Sequence, residues 1–246
     1  MDEMMQTQAL FREDAYAEGN SAVVLESSEA GIVLDRSVFY PRAGGQPGDT
    51  GVILWEGGEM PVADTVKAPD GSALHVPAAG AAIPPVGAKV TAKLDWARRH
   101  RHMRMHTTLH LLCAAMPGIY ATGNQIGAEK SRLDFDLPDP PAKEWVTEKL
   151  NELIAGDHPI GERWITEAEL DANPGLVRTL SVQPPRGAGQ VRLVRIGTEE
   201  APVDLQPCGG THVRRTGEIG RVEVVKMESK GKQNRRIHIV PAEDAK

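Results

Sequence analysis

The sequence predicts an α+β protein in two parts. A small N-terminal antiparallel β-barrel-like domain over residues 1–94 is followed by an α+β domain over residues 95–246, with helices set against an antiparallel sheet. Three observations predict it. Between residues 22 and 94 six short apolar runs recur at near-regular spacing, with turn residues between them, as in small closed all-β domains. From residue 96 to residue 116 there is neither Gly nor Pro, and apolar side chains return at helical spacing. The charge also changes: residues 1–95 carry 6 Lys+Arg against 14 Asp+Glu, a net of −8, whereas residues 96–246 carry 22 against 20, a net of +2.

The strands are expected at residues 22–25, 31–34, 52–55, 60–66, 73–76 and 89–94. Glu29-Ala30-Gly31, Glu56-Gly57-Gly58, Pro69-Asp70-Gly71 and Pro84-Pro85-Val86-Gly87 supply turns between them. Asp95 can cap the long helix and Pro117-Gly118 ends it, while Met103, Leu109, Leu112 and Met116 form one buried face. A second helix is expected over residues 142–154, with Trp145, Leu150, Leu153 and Ile154 as its apolar stripe. Thr166-Glu167-Ala168-Glu169 resembles a capping box opening a short third helix, which Asn173-Pro174-Gly175 stops. Strands are expected again at residues 190–196, 219–226 and 236–240.

Composition excludes several classes. With 40% hydrophobic and 25% charged residues the chain is of ordinary globular type, and no apolar run approaches the ~18 residues of a membrane span. The start, Met1-Asp2-Glu3-Met4-Met5-Gln6, is acidic and polar where a signal peptide needs a basic start and an apolar stretch, so a cytoplasmic location is expected. Two cysteines, Cys113 and Cys208, are too few for a disulfide scaffold. Aromatic content of 4% does not provide a base-stacking surface. The basic residues cluster: residues 96–120 hold four Arg and no acid, and residues 207–240 hold eight Lys+Arg against three Glu. Such clusters suit either a nucleic-acid surface or a solvated charged face.

Two motifs point to a metal. His106 and His110 lie four apart on the long helix and can present two imidazoles to one cation, although His102 also stands four before His106. Pro and two Gly make Gln206-Pro207-Cys208-Gly209-Gly210-Thr211-His212 a tight turn, and its glycines tolerate unusual backbone angles, so that Cys208 and His212 can both point inward. Cys113, in the run Leu111-Leu112-Cys113, reads as core filler. His106, His110, Cys208 and His212 together make an N₃S set suited to one Zn²⁺ per chain. Four protein ligands fit a structural zinc. Hydrolysis needs one ligand to bind loosely or the coordination to expand.

With these residues in place, the chain resembles the free-standing alanyl-tRNA editing proteins, relatives of the editing domain of alanyl-tRNA synthetase. Residues 39–51, Phe39-Tyr40-Pro41-Arg42-Ala43-Gly44-Gly45-Gln46-Pro47-Gly48-Asp49-Thr50-Gly51, look like the family's glycine-rich motif. Leu94-Asp95-Trp96, Arg98-Arg99 and the His106/His110 pair resemble its helix entry and first ligand pair. Cys208-Gly209-Gly210-Thr211-His212-Val213 with Thr216-Gly217-Glu218-Ile219-Gly220 resembles the second pair, and Ser229-Lys230-Gly231-Lys232 with Asn234-Arg235-Arg236-Ile237 the closing basic strand. The match spans residues 22–240 and looks like the medium-length form. No synthetase catalytic core precedes it, which implies an editor acting in trans.

The resemblance implies hydrolysis of the ester of mischarged tRNA(Ala), chiefly seryl-tRNA(Ala), with zinc. It also implies site roles. Gly44, Gly45 and Gln46, which by themselves read as a hairpin turn, belong to the junction and the pocket. Thr107 is a candidate to recognise serine, as a hydroxyl beside the metal, with Thr108 next to it. Gln125, in Asn124-Gln125-Ile126-Gly127, is a candidate amide contact, the simpler reading being a turn. Arg98, Arg99, Lys230, Lys232, Arg235 and Arg236 are candidates for tRNA phosphates. The rival expectations are a tRNA-binding module with a structural zinc and no hydrolysis, and a zinc hydrolase acting on another ester or amide.

Overall fold

The computed structural model describes residues 7–180 and 189–244; the polar hexapeptide read for export lies outside them. The chain divides into two compact units, Met1–His100 and Arg101–Lys246. Among the described residues no helix is long and apolar enough to cross a membrane.

Six strands close the barrel of the first unit: β1 (Gly19–Ser28), β2 (Gly31–Leu34), β3 (Gly51–Trp55), β4 (Gly58–Lys67), β5 (Ala73–Pro77) and β6 (Lys89–Leu94). Their order around it is β1-β2-β5-β4-β3-β6, all antiparallel, and each expected run is one of these strands. Closure leaves no unpaired edge. Alternation fills the interior, as on β6, where Val90, Ala92 and Leu94 face in and Lys89, Thr91 and Lys93 face out. On β4 a register shift between Val62 and Asp64 moves the buried positions from Met60 and Val62 to Thr65. The core also takes Val24, Ile32, Leu34, Phe39 and Ile53.

The helix α1 (Trp96–Ala115) begins as expected, Asp95 Oδ1 accepting from the Arg98 N–H at 3.1 Å. The expected face of Met103, Leu109, Leu112 and Met116 is buried, and burial does not stop there. Met103, Met105, Leu109, Leu111, Leu112 and Cys113 are all buried, so this part of the helix is covered all round. Burial extends to His102, His106, Thr107, Thr108 and His110.

The remaining elements of the second unit are β7 (Ala121–Gln125), β8 (Ser131–Asp136), α2 (Lys143–Ala155), β9 (Ile160–Thr166), α3 (Glu167–Ala172), β10 (Gln190–Gly197), β11 (Pro202–Pro207), β12 (Val222–Ser229) and β13 (Asn234–Pro241). They form a four-stranded antiparallel sheet of order β12-β13-β8-β7 and a three-stranded one of order β9-β10-β11. The helix α2 packs on β12 through Val146, Leu150 and Ile154, at spacing four, and leaves Trp145 exposed. Asn151 adds a strand-like clasp, its amide donating to Val222 O (2.9 Å) and accepting from Val222 N–H (3.0 Å). The capping box forms, with Glu169 N–H on Thr166 Oγ1 and Thr166 N–H on Glu169 Oε2. Ile219 belongs to a 3₁₀ turn, Thr216–Ile219, that precedes β12.

Candidate metal centre

Four side chains converge in the second unit. His106 and His110 project from α1, and Cys208 and His212 come from the turn that leaves β11. Their potential ligand atoms all lie within 4.8 Å of one another. Cys208 Sγ is 3.4 Å from His106 Nε2 and 3.3 Å from His212 Nε2. The three imidazole centroids are 4.3–5.3 Å apart. A tetrahedral zinc with Zn–S of about 2.3 Å and Zn–N of about 2.0–2.1 Å has S···N edges of about 3.5 Å, so this donor set fits the ion. His102, although buried, is not in the group.

On His110 and His212 the ring nitrogen turned away from the cluster is held. His110 Nδ1 lies 2.9 Å from Asp204 Oδ2, and Gln206 Nε2 donates to the same oxygen at 2.9 Å. His212 Nδ1 lies 3.1 Å from Thr107 Oγ1. Each contact leaves the other nitrogen, Nε2, for a metal, the arrangement by which ligating histidines are oriented. Electrostatics agrees with thiolate ligation. Burial alone raises the Cys208 thiol, but the imidazoles of His106 and His212 outweigh it and bring it well below the usual range. Burial likewise pushes His110 down, yet Asp204 and Cys208 reverse the sign and lift it to about 10. His212 is held well below its ordinary value by burial and by His106. Cys113 is the core filler expected, buried and pushed up to about 12 by desolvation.

The glycines of the turn act differently from expectation, since neither Gly209 nor Gly210 sits at positive φ. Gly210 contributes its backbone: its N–H donates to Cys208 Sγ at 3.4 Å and its carbonyl accepts from Arg192 Nη1 at 2.9 Å. Sequence reasoning missed Arg192 and Asp204, and placed Gln206 only at the start of the ligand-bearing turn. For Asp204 and Gln206 a signal existed, because alternation puts residues 204 and 206 on one face of the strand that runs into Cys208.

Other expected site residues fall in different places. The Thr107 hydroxyl donates to Met103 O (2.9 Å), lies 3.1 Å from His212 Nδ1 and accepts from Val213 N–H at 3.4 Å. These contacts tie the hydroxyl to its own helix and to the ligand-bearing turn. Thr108 back-bonds to Arg104 O. Gln125 is exposed at the end of β7, where it accepts from Arg132 Nε at 3.2 Å. Gly44 (φ 58°) and Gly45 (φ 86°) are the centre of a two-residue hairpin turn closed by reciprocal Ala43–Gln46 backbone bonds, with Gln46 buried.

The basic candidates divide. Arg99 is corrected, because it is completely buried in an ion pair with Asp49 and also donates to Val38 O and Ala15 O, out of reach of a phosphate. Arg98 is half-buried and donates to Gly48 O. Arg236 forms a two-pronged pair with Asp134, at 2.8 and 2.7 Å, which commits its guanidinium. Burial raises the Asp134 carboxyl, but Arg236 and Arg132 bring it below its usual value. Arg235 donates to Pro138 O, while Lys230 and Lys232 are exposed in the connection between β12 and β13.

Comparison with known proteins gives two matching family models. One, described as tRNA synthetases class II (A), covers residues 3–98. The other, Threonyl and Alanyl tRNA synthetase second additional domain, covers residues 191–238 and so includes Cys208 and His212. The chain is similar to the alanyl-tRNA editing protein AlaX-M of Methanosarcina mazei, 36% identical over 94% of this chain and 95% of that protein. It is 35% identical to AlaX-M of Methanosarcina acetivorans, over 94% of this chain and 98% of the relative. It is also 35% identical to the alanine--tRNA ligase of Pyrobaculum neutrophilum, over 92% of this chain but only 26% of the ligase, so it spans about a quarter of that enzyme.

Proposed function

Because the chain belongs to the alanyl-tRNA editing proteins, we propose that it deacylates mischarged tRNA(Ala), chiefly seryl-tRNA(Ala), at a centre holding one Zn²⁺ through His106, His110, Cys208 and His212. The observation that carries the reading is the convergence of those four ligand atoms within 4.8 Å. Coverage adds support, since nearly the whole length of the editing relatives is matched. The task has a physical reason. A pocket shaped for the alanine methyl group cannot strongly exclude serine, which adds one hydroxyl, so a second, hydrolytic sieve is needed.

Bound zinc supplies Lewis acidity toward the ester carbonyl and lowers the pKa of a water. The chain's own residues prepare the site. Asp204 holds His110 and Thr107 holds His212, each with its ring plane fixed. The exposed Lys230 and Lys232 offer charge to phosphates. The complete four-ligand set also favours a second reading, a tRNA-binding module with a structural zinc and no hydrolysis. Seryl-, glycyl- and alanyl-tRNA(Ala) are incubated with the protein before and after chelation, and loss of the aminoacyl group is followed. Chelator-sensitive hydrolysis of the seryl ester in preference to the alanyl ester is the expected result. Binding of tRNA without hydrolysis supports the second reading instead.

A further inference from the structure

We infer that Arg192, held by Glu162, is a positioning residue for the turn that presents Cys208 and His212 to the metal, an inference that rests on the proposed zinc site. Arg192 lies on β10, the central strand of the three-stranded sheet, and Glu162 on its neighbour β9. The register pairs Arg192 with Trp164, which makes Glu162 its diagonal neighbour on the same face. Arg192 Nε donates to Glu162 Oε2 at 2.8 Å, and Nη2 donates to Oε1. Nη1 reaches the other way, donating to Cys208 O at 2.8 Å and Gly210 O at 2.9 Å.

The main chain of the same residue completes the hold, because Cys208 N–H donates to Arg192 O at 3.1 Å. Both peptide groups flanking the Cys208 Cα therefore end on Arg192. With the backbone fixed, the thiolate position depends on one side-chain torsion, and the Gly210 N–H on Sγ biases that torsion.

An arginine is a costly choice here. Its side chain is 8% exposed, and its strand neighbours Val191, Leu193 and Val194 are buried and apolar. A buried cation is tolerated only when paired and hydrogen-bonded, which Glu162 and the two carbonyls provide. Lysine would keep the charge, but a single ammonium cannot present the planar fork that joins a carboxylate to two carbonyls.

The test uses the full chain as wild type, Arg192→Lys and Glu162→Gln. Zinc affinity is read by chelator competition, the thiolate-to-metal charge-transfer band is read after Co²⁺ substitution, and the melting temperature is read on the metal-free proteins. Arg192→Lys is expected to weaken zinc binding by about 10- to 100-fold and to reduce the cobalt band. Glu162→Gln is expected to shift both in the same direction with the fold retained. Wild-type affinity and an unchanged cobalt band in both variants overturn the inference. So does zinc loss in an unfolded Arg192→Lys protein while a folded Glu162→Gln protein binds as wild type does. If the wild type itself takes up neither metal, the zinc reading fails first and the inference falls with it, a result distinct from metal-binding variants that match the wild type.

Discussion

Removing the carboxylate of Asp204 tests the centre at a residue that is not itself a ligand. Asp204 is buried, its Oδ2 accepts from His110 Nδ1 at 2.9 Å, and Gln206 Nε2 donates to the same atom. Partners that orient a ligating histidine typically contribute 10- to 100-fold to metal affinity, or about 1.4–2.7 kcal/mol. The two ends of that range should separate by chemistry. Asp204→Asn keeps an amide oxygen that can accept both bonds and loses only the charge, so about tenfold weaker zinc binding is expected. Asp204→Ala leaves the His110 and Gln206 N–H groups unpaired in a buried site, so the loss should approach 100-fold, with a further fall in stability of about 1–3 kcal/mol. Chelator competition measures the affinity, and seryl-tRNA deacylation in excess zinc should recover more fully in the Asn variant. An Ala variant that binds zinc as tightly as wild type would refute the assignment of His110 as a ligand oriented by Asp204.

Three further outcomes are expected. Thr107→Val should weaken zinc binding and slow seryl and alanyl hydrolysis by the same factor; a changed ratio with zinc retained would return Thr107 to substrate recognition. Asp49→Asn strands the buried Arg99 charge and should cost about 3–5 kcal/mol in urea unfolding, and a loss below about 1 kcal/mol would mean that the pair holds little. His75 is buried and held neutral, its pKa lowered by desolvation from 6.5 to about 4. The unfolded chain therefore takes up the proton first, and stability present above pH 6.5 is lost as pH falls toward 4, by up to about 3 kcal/mol. His75→Gln should flatten that part of the pH profile, and parallel profiles for the two proteins would contradict the linkage.

The barrel was legible because its short apolar runs recur at near-regular spacing and turn residues punctuate them. The His106, His110, Cys208 and His212 cluster was legible because helical spacing and a Cys-to-His turn are local patterns. What escaped has a physical reason in each case. Pro202–Pro207 carries Asp204 and Gln206 where an inward-facing strand would ordinarily carry apolar residues, because those positions face His110. Ile160–Thr166 mixes Glu162, Arg163 and an exposed Trp164, and so shows no period of two. Arg99 sits in a basic run and reads as solvated, and only its tertiary partner, 50 residues away, reveals a buried ion pair. Composition predicts the average fate of a charge, whereas burial of a particular one depends on a partner that sequence spacing does not show.

The same distinction bears on how an editing site can spare alanyl-tRNA. Alanine is smaller than serine and enters any space that admits serine, so rejection requires a polar group left unpaired when the hydroxyl is missing, at about 1–3 kcal/mol per buried group. A group already satisfied in the folded protein loses nothing when alanine arrives. The Thr107 hydroxyl already contacts Met103 O, His212 Nδ1 and Val213 N–H in the folded protein. On this reasoning Thr107→Val should change selectivity little and act mainly through His212. Discrimination has to come from a donor or acceptor that no protein group satisfies until substrate binds. A zinc held by His106, His110, Cys208 and His212 would meet that requirement if one ligand gave way to the serine hydroxyl, for which a methyl group is no substitute. Glycine offers no hydroxyl either, so on this reasoning the glycyl ester should be hydrolysed more slowly than the seryl ester.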